Sequence, residues 1–219
     1  MITDKECAQL CAAIYGPDQA SNSEMWVQYD HGLDDGVCWA VARREGVDVV
    51  VLRGSETFPD WIRDLLALAS PFTHHALGPV HPGFLLGLDH AWTEIKPLLQ
   101  QPVVVTGHSL GAGRAAILTG LMLLDGIAPL RRVGFGSPKP GFKPLADYIS
   151  TVPAVDYRNG SDAGIGILHH DLVTDVPFSF PPEEYIHPNS LTQISAEPAN
   201  ADWGPFSYHH MTLYDKALT

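Results

Sequence analysis

Positive charge is scarce in this chain. Thirteen Lys and Arg stand against 25 Asp and Glu in 219 residues, a net charge of −12 with a pI near 5.2, and that field repels a phosphate backbone. Nucleic acid is therefore excluded as a partner, and an anionic membrane surface is disfavoured. Apolar runs long enough to span a bilayer are lacking. Charged residues are only 17% of the chain against 45% hydrophobic, which is too apolar for a disordered segment. Cysteine is scarce too: Cys7, Cys11 and Cys38 are an odd number in a chain large enough to fold without staples. Reduced, buried thiols are expected. Residues 1–13 carry Asp4, Lys5 and Glu6 and no long apolar stretch, so no secretory signal is read there and a cytoplasmic location is expected. Repeats, low-complexity tracts and a dividing linker are also missing, which predicts one domain over residues 1–219.

What is present alternates. Thr3-Asp4-Lys5-Glu6 reads as a capping box ahead of Cys7, Leu10, Cys11 and Ile14 at helical spacing, and Gly16-Pro17 ends that helix. Residues 37–43 and 47–52 are β-rich and separated by Glu45-Gly46, which predicts an antiparallel hairpin. After a loop rich in Pro and His, residues 83–99 predict a helix, 103–106 a buried strand and 112–124 another helix. A strand at 132–136, a helix at 143–149 and a strand at 154–158 extend the series, which implies an α/β fold on a parallel sheet. Residues 159–207 are dense in Gly, Pro, Asp and His, with short strands near 184–186 and 192–194, and loops of that length are commonly functional. Residues 211–218 read as a final helix.

One segment carries chemistry. Gly107-His108-Ser109-Leu110-Gly111 is G-x-S-x-G, with the strand Val103-Val104-Val105-Thr106 before it and helix-forming residues from Ala112 after it. Small residues at 107 and 111 let strand and helix approach closely, so that Ser109 is held in a strained conformation that exposes its Oγ. The plainer alternative is a serine that merely caps the helix.

Val104 to Gly113, V-V-T-G-H-S-L-G-A-G, resembles the nucleophile region of the class 3 (fungal-type) lipases, a family of α/β hydrolases. Arg53-Gly54-Ser55 with Trp61-Ile62-Arg63-Asp64 resembles the family's oxyanion segment and lid. His81-Pro82-Gly83-Phe84 and Phe135-Gly136-Ser137-Pro138-Lys139 are similar to two further family blocks, and the matches run in the family's order from about Leu52 to Tyr214. The short chain with three cysteines resembles a compact bacterial or phage-like member. The resemblance implies an α/β-hydrolase fold: a mostly parallel central sheet flanked by helices, an antiparallel N-terminal hairpin and a short lid at about residues 57–80. It also implies a serine carboxylic-ester hydrolase, a lipase or esterase, working through an acyl-enzyme.

A serine hydroxyl needs a histidine base and a carboxylate that orients it, in the chain order Ser, Asp or Glu, His. That order removes His74, His75, His81 and His90, and His108 lies inside the elbow, read as pointing away from Ser109 Oγ. His169, His170, His187, His209 and His210 remain. His209-His210-Met211-Thr212-Leu213-Tyr214 resembles the family's H-x-[MI]-x-x-Y ending, which puts His209 ahead of His210 as base. Asp171-Leu172-Val173-Thr174-Asp175-Val176-Pro177 is similar to the segment whose first residue is the family's catalytic Asp, so Asp171 leads over Asp175, Asp162 and Asp156. Oxyanion donors are then the Leu110 backbone N–H and Ser55. The nine-residue step from Ser55 to Asp64 is similar to the family's, which implies that Asp64 holds the Ser55 hydroxyl once the lid opens; the plainer alternatives are a turn serine and a helix-surface acid, and Trp61 with its apolar neighbours reads either as lid or as ordinary core packing.

No cofactor and no metal is expected. A zinc site at His169, His170, Asp171 and Asp175, with His209 and His210 later in the chain, is the metal alternative, but no H-x-x-x-H or C-x-x-C accompanies it. A thioesterase or acyltransferase on the same triad, and a non-catalytic lipid-binding module, are the other rivals. The expected partners are a small-molecule or lipid ester and a transient lipid interface; acyl length and oligomeric state stay open.

Overall fold

Valine-rich runs at 47–52 and 103–105 build the centre of the sheet, because strands covered on both faces can be apolar throughout. The computed structural model describes residues 2–16, 25–32, 36–55, 70–160, 169–179, 184–199 and 204–218. Its elements are α1 (Asp4–Ala13), β1 (Trp26–Asp30), β2 (Trp39–Arg44), β3 (Val47–Leu52), β4 (Phe72–His74), β5 (Gly78–Val80), α2 (Pro82–Leu85), α3 (Leu88–Ile95), β6 (Val103–His108), α4 (Leu110–Leu124), β7 (Arg131–Phe135), α5 (Lys143–Ile149), β8 (Ala154–Asn159), β9 (Leu191–Ile194) and α6 (Met211–Ala217). Among the described residues, seven strands form the main sheet in the order β1-β2-β3-β6-β7-β8-β9. β1, β2 and β3 run antiparallel, and β3, β6, β7, β8 and β9 are mutually parallel. This is the α/β-hydrolase architecture with its antiparallel N-terminal hairpin.

Alternation along the strands fills two cores. Val50, Leu52 and Val105 face α2, α3 and α4, whereas Val49, Val51, Val104 and Val133 face α1 and α6. α4 is sunk into the first core, with every residue from Leu110 to Met122 buried. Gly113 and Gly120 permit this depth: a Cβ on Gly120 would stand 2.8 Å from Leu77. α1 carries the expected capping box, Thr3 and Glu6 each satisfying the other's backbone N–H.

Three local expectations are corrected. The helix expected at 83–99 is two helices, α2 and α3, parted by Gly87 at φ 78°, a left-handed turn that a helix cannot pass through. β1 and the β4–β5 hairpin lie where no strand was expected. Near 184–186 there is only an isolated bridge, Ile186 to Gly141.

Candidate active site

β6 ends at His108 and α4 begins at Leu110, so Ser109 alone makes the turn. Its φ of 59° and ψ of −130° lie where a side chain is strained by on the order of 1–3 kcal/mol. Packing holds it there. A Cβ on Gly107 would collide with the Gly111 carbonyl group, one on Gly111 with the Leu52 carbonyl, and one on Gly54 would reach within 2.8 Å of Ser109 Cβ. The small residues of G-x-S-x-G are thus required by backbone approach. Ser109 Oγ is buried, with no hydrogen-bond partner among the described residues.

Asp171 and His209 come from loops brought together at the ends of β7 and β8. Asp171 caps the short 3-10 turn Leu172–Asp175, accepting from Val173 N–H at 2.9 Å with one oxygen. Its backbone N–H donates to Asn159 O at 2.8 Å. Its second oxygen accepts from His209 Nδ1 at 2.6 Å and from the Tyr214 hydroxyl. Because that carboxylate can only accept, Nδ1 carries the imidazole proton, which leaves Nε2 as the basic nitrogen. Burial on its own raises the Asp171 carboxyl; the His209 ring and hydrogen bond, the Tyr214 hydroxyl and Val173 N–H outweigh it and hold the group below the ordinary carboxylate range. Asn159, fully buried at the end of β8, donates through its amide to Ala196 O at 3.0 Å and Tyr208 O at 3.1 Å, anchoring the segment just before His209.

Ser55, His108, Ser109, His209 and His210 line one cavity of about 230 Å³ together with Tyr15 and Met211. Ser55 also borders a polar cavity of about 260 Å³ with Leu110, Arg53 and Arg114. The expected donors Ser55 and Leu110 therefore adjoin the serine, and the Leu110 N–H, in the first turn of α4, has no partner within its helix by geometry. A larger apolar cavity, about 720 Å³, is lined by residues that include Phe72, Leu85 and Leu86 and shares none with the one holding Ser109. The candidate site is the smaller cavity, because Ser109, His209 and Ser55 line it.

The alternatives are occupied elsewhere. Asp156 takes Arg132 in a buried pair at 2.6 and 2.8 Å. Asp175 accepts from His170 Nε2 at 2.9 Å, and His187 Nε2 meets the Thr174 carbonyl at 2.7 Å. With His170 on Asp175 and His209 on Asp171, the residues proposed for zinc pair off separately. Trp61, Asp64 and Asp162 lie outside the described residues, as does the expected lid except for residues 70–80. Four residues in the site had no assigned role from sequence: Tyr15, His108, Gly136 and Tyr214. Tyr214 was visible only as the last letter of the H-x-[MI]-x-x-Y pattern. Gly136, at φ 56°, packs so tightly that a Cβ would stand 2.8 Å from the His209 ring.

A sequence model of the family described as Lipase (class 3) matches residues 49–180, more than half of the chain. The chain is 29% identical over 164 residues to the secreted mono- and diacylglycerol lipase 1 of Fusarium solani, covering 68% of the chain and 47% of that relative. It therefore spans about half the length of the curated relative it matches. Among solved structures, the lipase of Rhizopus microsporus var. chinensis superposes with a TM-score of 0.65 at 19% identity, over 78% of this chain and 67% of that one. The Rhizomucor miehei lipase in its propeptide complex gives 0.64 at 23% identity, over 86% and 66%. Both share the fold.

Proposed function

The chain belongs to the class 3 lipase family, and from that premise we propose that it is a serine carboxylic-ester hydrolase with Ser109 as nucleophile, His209 as base and Asp171 as the orienting acid. The observation that carries this reading is the buried Asp171–His209 hydrogen bond, with His209 lining the same cavity as the strained Ser109. In the acylation step, His209 Nε2 takes the Ser109 proton as Oγ adds to the ester carbonyl, and the Leu110 N–H with Ser55 receives the developing oxyanion. Nε2 then protonates the departing alkoxide. Water, deprotonated by the same nitrogen, releases the acid from Ser109.

The Fusarium solani relative acts on mono- and diacylglycerols by its name, and glyceride or simpler esters are the substrate class proposed here, with transient contact at a lipid surface. The cytoplasmic location expected above is corrected by that relative, which is a secreted lipase. The cysteines do not discriminate between the two locations, for a physical reason. None of the three forms a disulfide and all are buried; burial pushes the Cys7 thiol up to about 12 and Cys11 higher still. Such thiols are protonated and shielded, and therefore carry little information about the redox state of their compartment.

A panel of p-nitrophenyl esters from short to long acyl chains tests the reading. Turnover by the wild type, with Ser109→Ala folded and inactive, supports it. Hydrolysis surviving in Ser109→Ala contradicts it, and a folded wild type inert to every ester favours a non-catalytic lipid binder.

A further inference from the structure

The elbow histidine packs against the residue proposed as base. His108 lies against the His209 ring, the two stacked with centroids 4.6 Å apart and 27° between planes. Its Nε2 is 2.8 Å from the His209 backbone carbonyl, and its Nδ1 is 2.9 Å from the Tyr15 hydroxyl. That hydroxyl in turn accepts from the Gly54 N–H at 2.9 Å. Tyr15 follows the end of α1, Gly54 precedes Ser55, and His209 stands before α6, so a single imidazole connects three segments remote in sequence.

The protons in this chain of contacts can be assigned. A carbonyl oxygen only accepts, so His108 Nε2 must carry hydrogen. Gly54 N–H only donates, so one Tyr15 lone pair is committed and its own O–H is left to donate. His108 Nδ1 must then be the bare acceptor. A second proton on His108 would face the Tyr15 hydroxyl donor and put a cation under the His209 ring. Burial is the main cause that keeps His108 neutral, lowering it to about 3, with the charge of the nearby His209 ring adding to that; the hydrogen bond to the His209 carbonyl and the Asp171 charge oppose the shift and His210 reinforces it. Tyr15 and Tyr214 complete the surroundings, edge-on to the ring at 5.7 and 5.9 Å.

We propose that Tyr15 and His108 are positioning residues, which tie the Ser55 oxyanion segment to the base His209 through a neutral His108 protonated on Nε2. The proposal rests on reading Ser109, Asp171 and His209 as the triad. Its mechanical content is that the two groups acting on opposite sides of the reacting carbonyl are set relative to each other by one imidazole. Its electrostatic content is that the neutral ring beneath His209 lets the base become cationic during turnover without a like charge stacked on it.

The tautomer is tested without any substrate. Nitrogen-15 NMR of histidine-labelled protein, with His108 assigned by its loss in His108→Gln, should show Nε2 protonated and Nδ1 bare, unchanged between about pH 6 and 8. A proton on Nδ1, or titration of His108 within that window, overturns the proposal whether or not the chain hydrolyses esters. The kinetic arm uses Tyr15→Phe, which keeps the ring and loses the link. A kcat on p-nitrophenyl butyrate lowered by about tenfold or more, with KM within about twofold, is the expected split for lost positioning. His108→Gln, whose amide can still donate toward the His209 carbonyl, should retain more activity than His108→Ala. Wild-type kcat in a folded Tyr15→Phe protein, or equal losses in the two His108 variants, overturns it; if Tyr15→Phe does not fold, the NMR result decides.

Discussion

Tyr214 donates its hydroxyl to the same Asp171 oxygen that accepts from His209 Nδ1. Two donors on one buried oxygen keep the carboxylate ionised against the pull of burial, and the Tyr214 hydroxyl itself is pushed well above its ordinary range, first by burial and then by the Asp171 charge. Tyr214→Phe retains the ring and removes one donor. A hydrogen bond to a charged group is worth about 1.5–3 kcal/mol, so urea unfolding at neutral pH should show a loss of that order. The remaining His209 bond should preserve most of the activity. An unchanged unfolding midpoint would contradict the assigned bond.

Asp171 and Asp175 are four residues apart and differ in partner. Asp171→Asn should slow ester turnover by about four orders of magnitude, by analogy with loss of the orienting acid in a serine triad. Asp175→Asn weakens part-exposed contacts to His170 and Arg158 and should leave kcat nearly unchanged. The comparison is a direct kinetic one, and a larger loss in Asp175→Asn would show that the acid has been misassigned.

How far the sequence reveals this site depends on how local each relationship is. The elbow is legible because strand, turn and helix are consecutive, and the glycine clashes that enforce it involve neighbours in the same motif, joined by Leu52 and Gly54 from β3 and its end. Asp171 and His209 are picked out by the resemblance of their flanking segments to the family's, although their contact spans 38 residues. Tyr15 is not: it lies 93 residues from His108 in an irregular stretch after α1, where no periodicity singles out one tyrosine. The missed strand β1 has a mainly half-buried or exposed pattern at the sheet edge, so its hydrophobic alternation is weak. β4 and β5 are three residues each, with His, Gly and Pro, below the length at which strand patterning is readable.

Gly136 offers a test of packing around the acid–base pair. Gly136→Ala adds a methyl at φ 56° against the His209 ring, so it should cut activity by about a hundredfold, the scale expected for a displaced catalytic group. Gly126 also has positive φ, at 74°, but nothing stands within 4 Å of an added Cβ. Gly126→Ala should therefore cost only about 1–2 kcal/mol of backbone strain and keep kcat. Similar kinetics for the two variants would show that the contact at Gly136 has no bearing on the site.

Acid sensitivity follows from His108. Folded, burial holds its imidazole to about 3; unfolded, it titrates near about 6.5. Between those values the unfolded chain binds the extra proton, so this contribution to stability is complete above the unfolded pKa and is lost as pH falls toward the folded one. Each pH unit removes about 1 kcal/mol over that window. His74 and His187, also lowered chiefly by burial, act in the same direction. Urea unfolding from about pH 6 to 4 should be less steep in pH for His108→Gln than for the wild type; identical slopes would mean that His108 is not held neutral by the fold.

The central claim is that Ser109 is a nucleophile activated by His209 and Asp171, and covalent capture tests it most directly. The folded protein is incubated with a serine-directed alkyl phosphonate, and its peptides are mapped by mass. The account predicts one phosphonyl group on the peptide that carries Ser109, formed far more slowly in His209→Ala and absent in Ser109→Ala. A folded wild-type protein that stays unmodified at high reagent concentration, or one modified at a different serine, would contradict it.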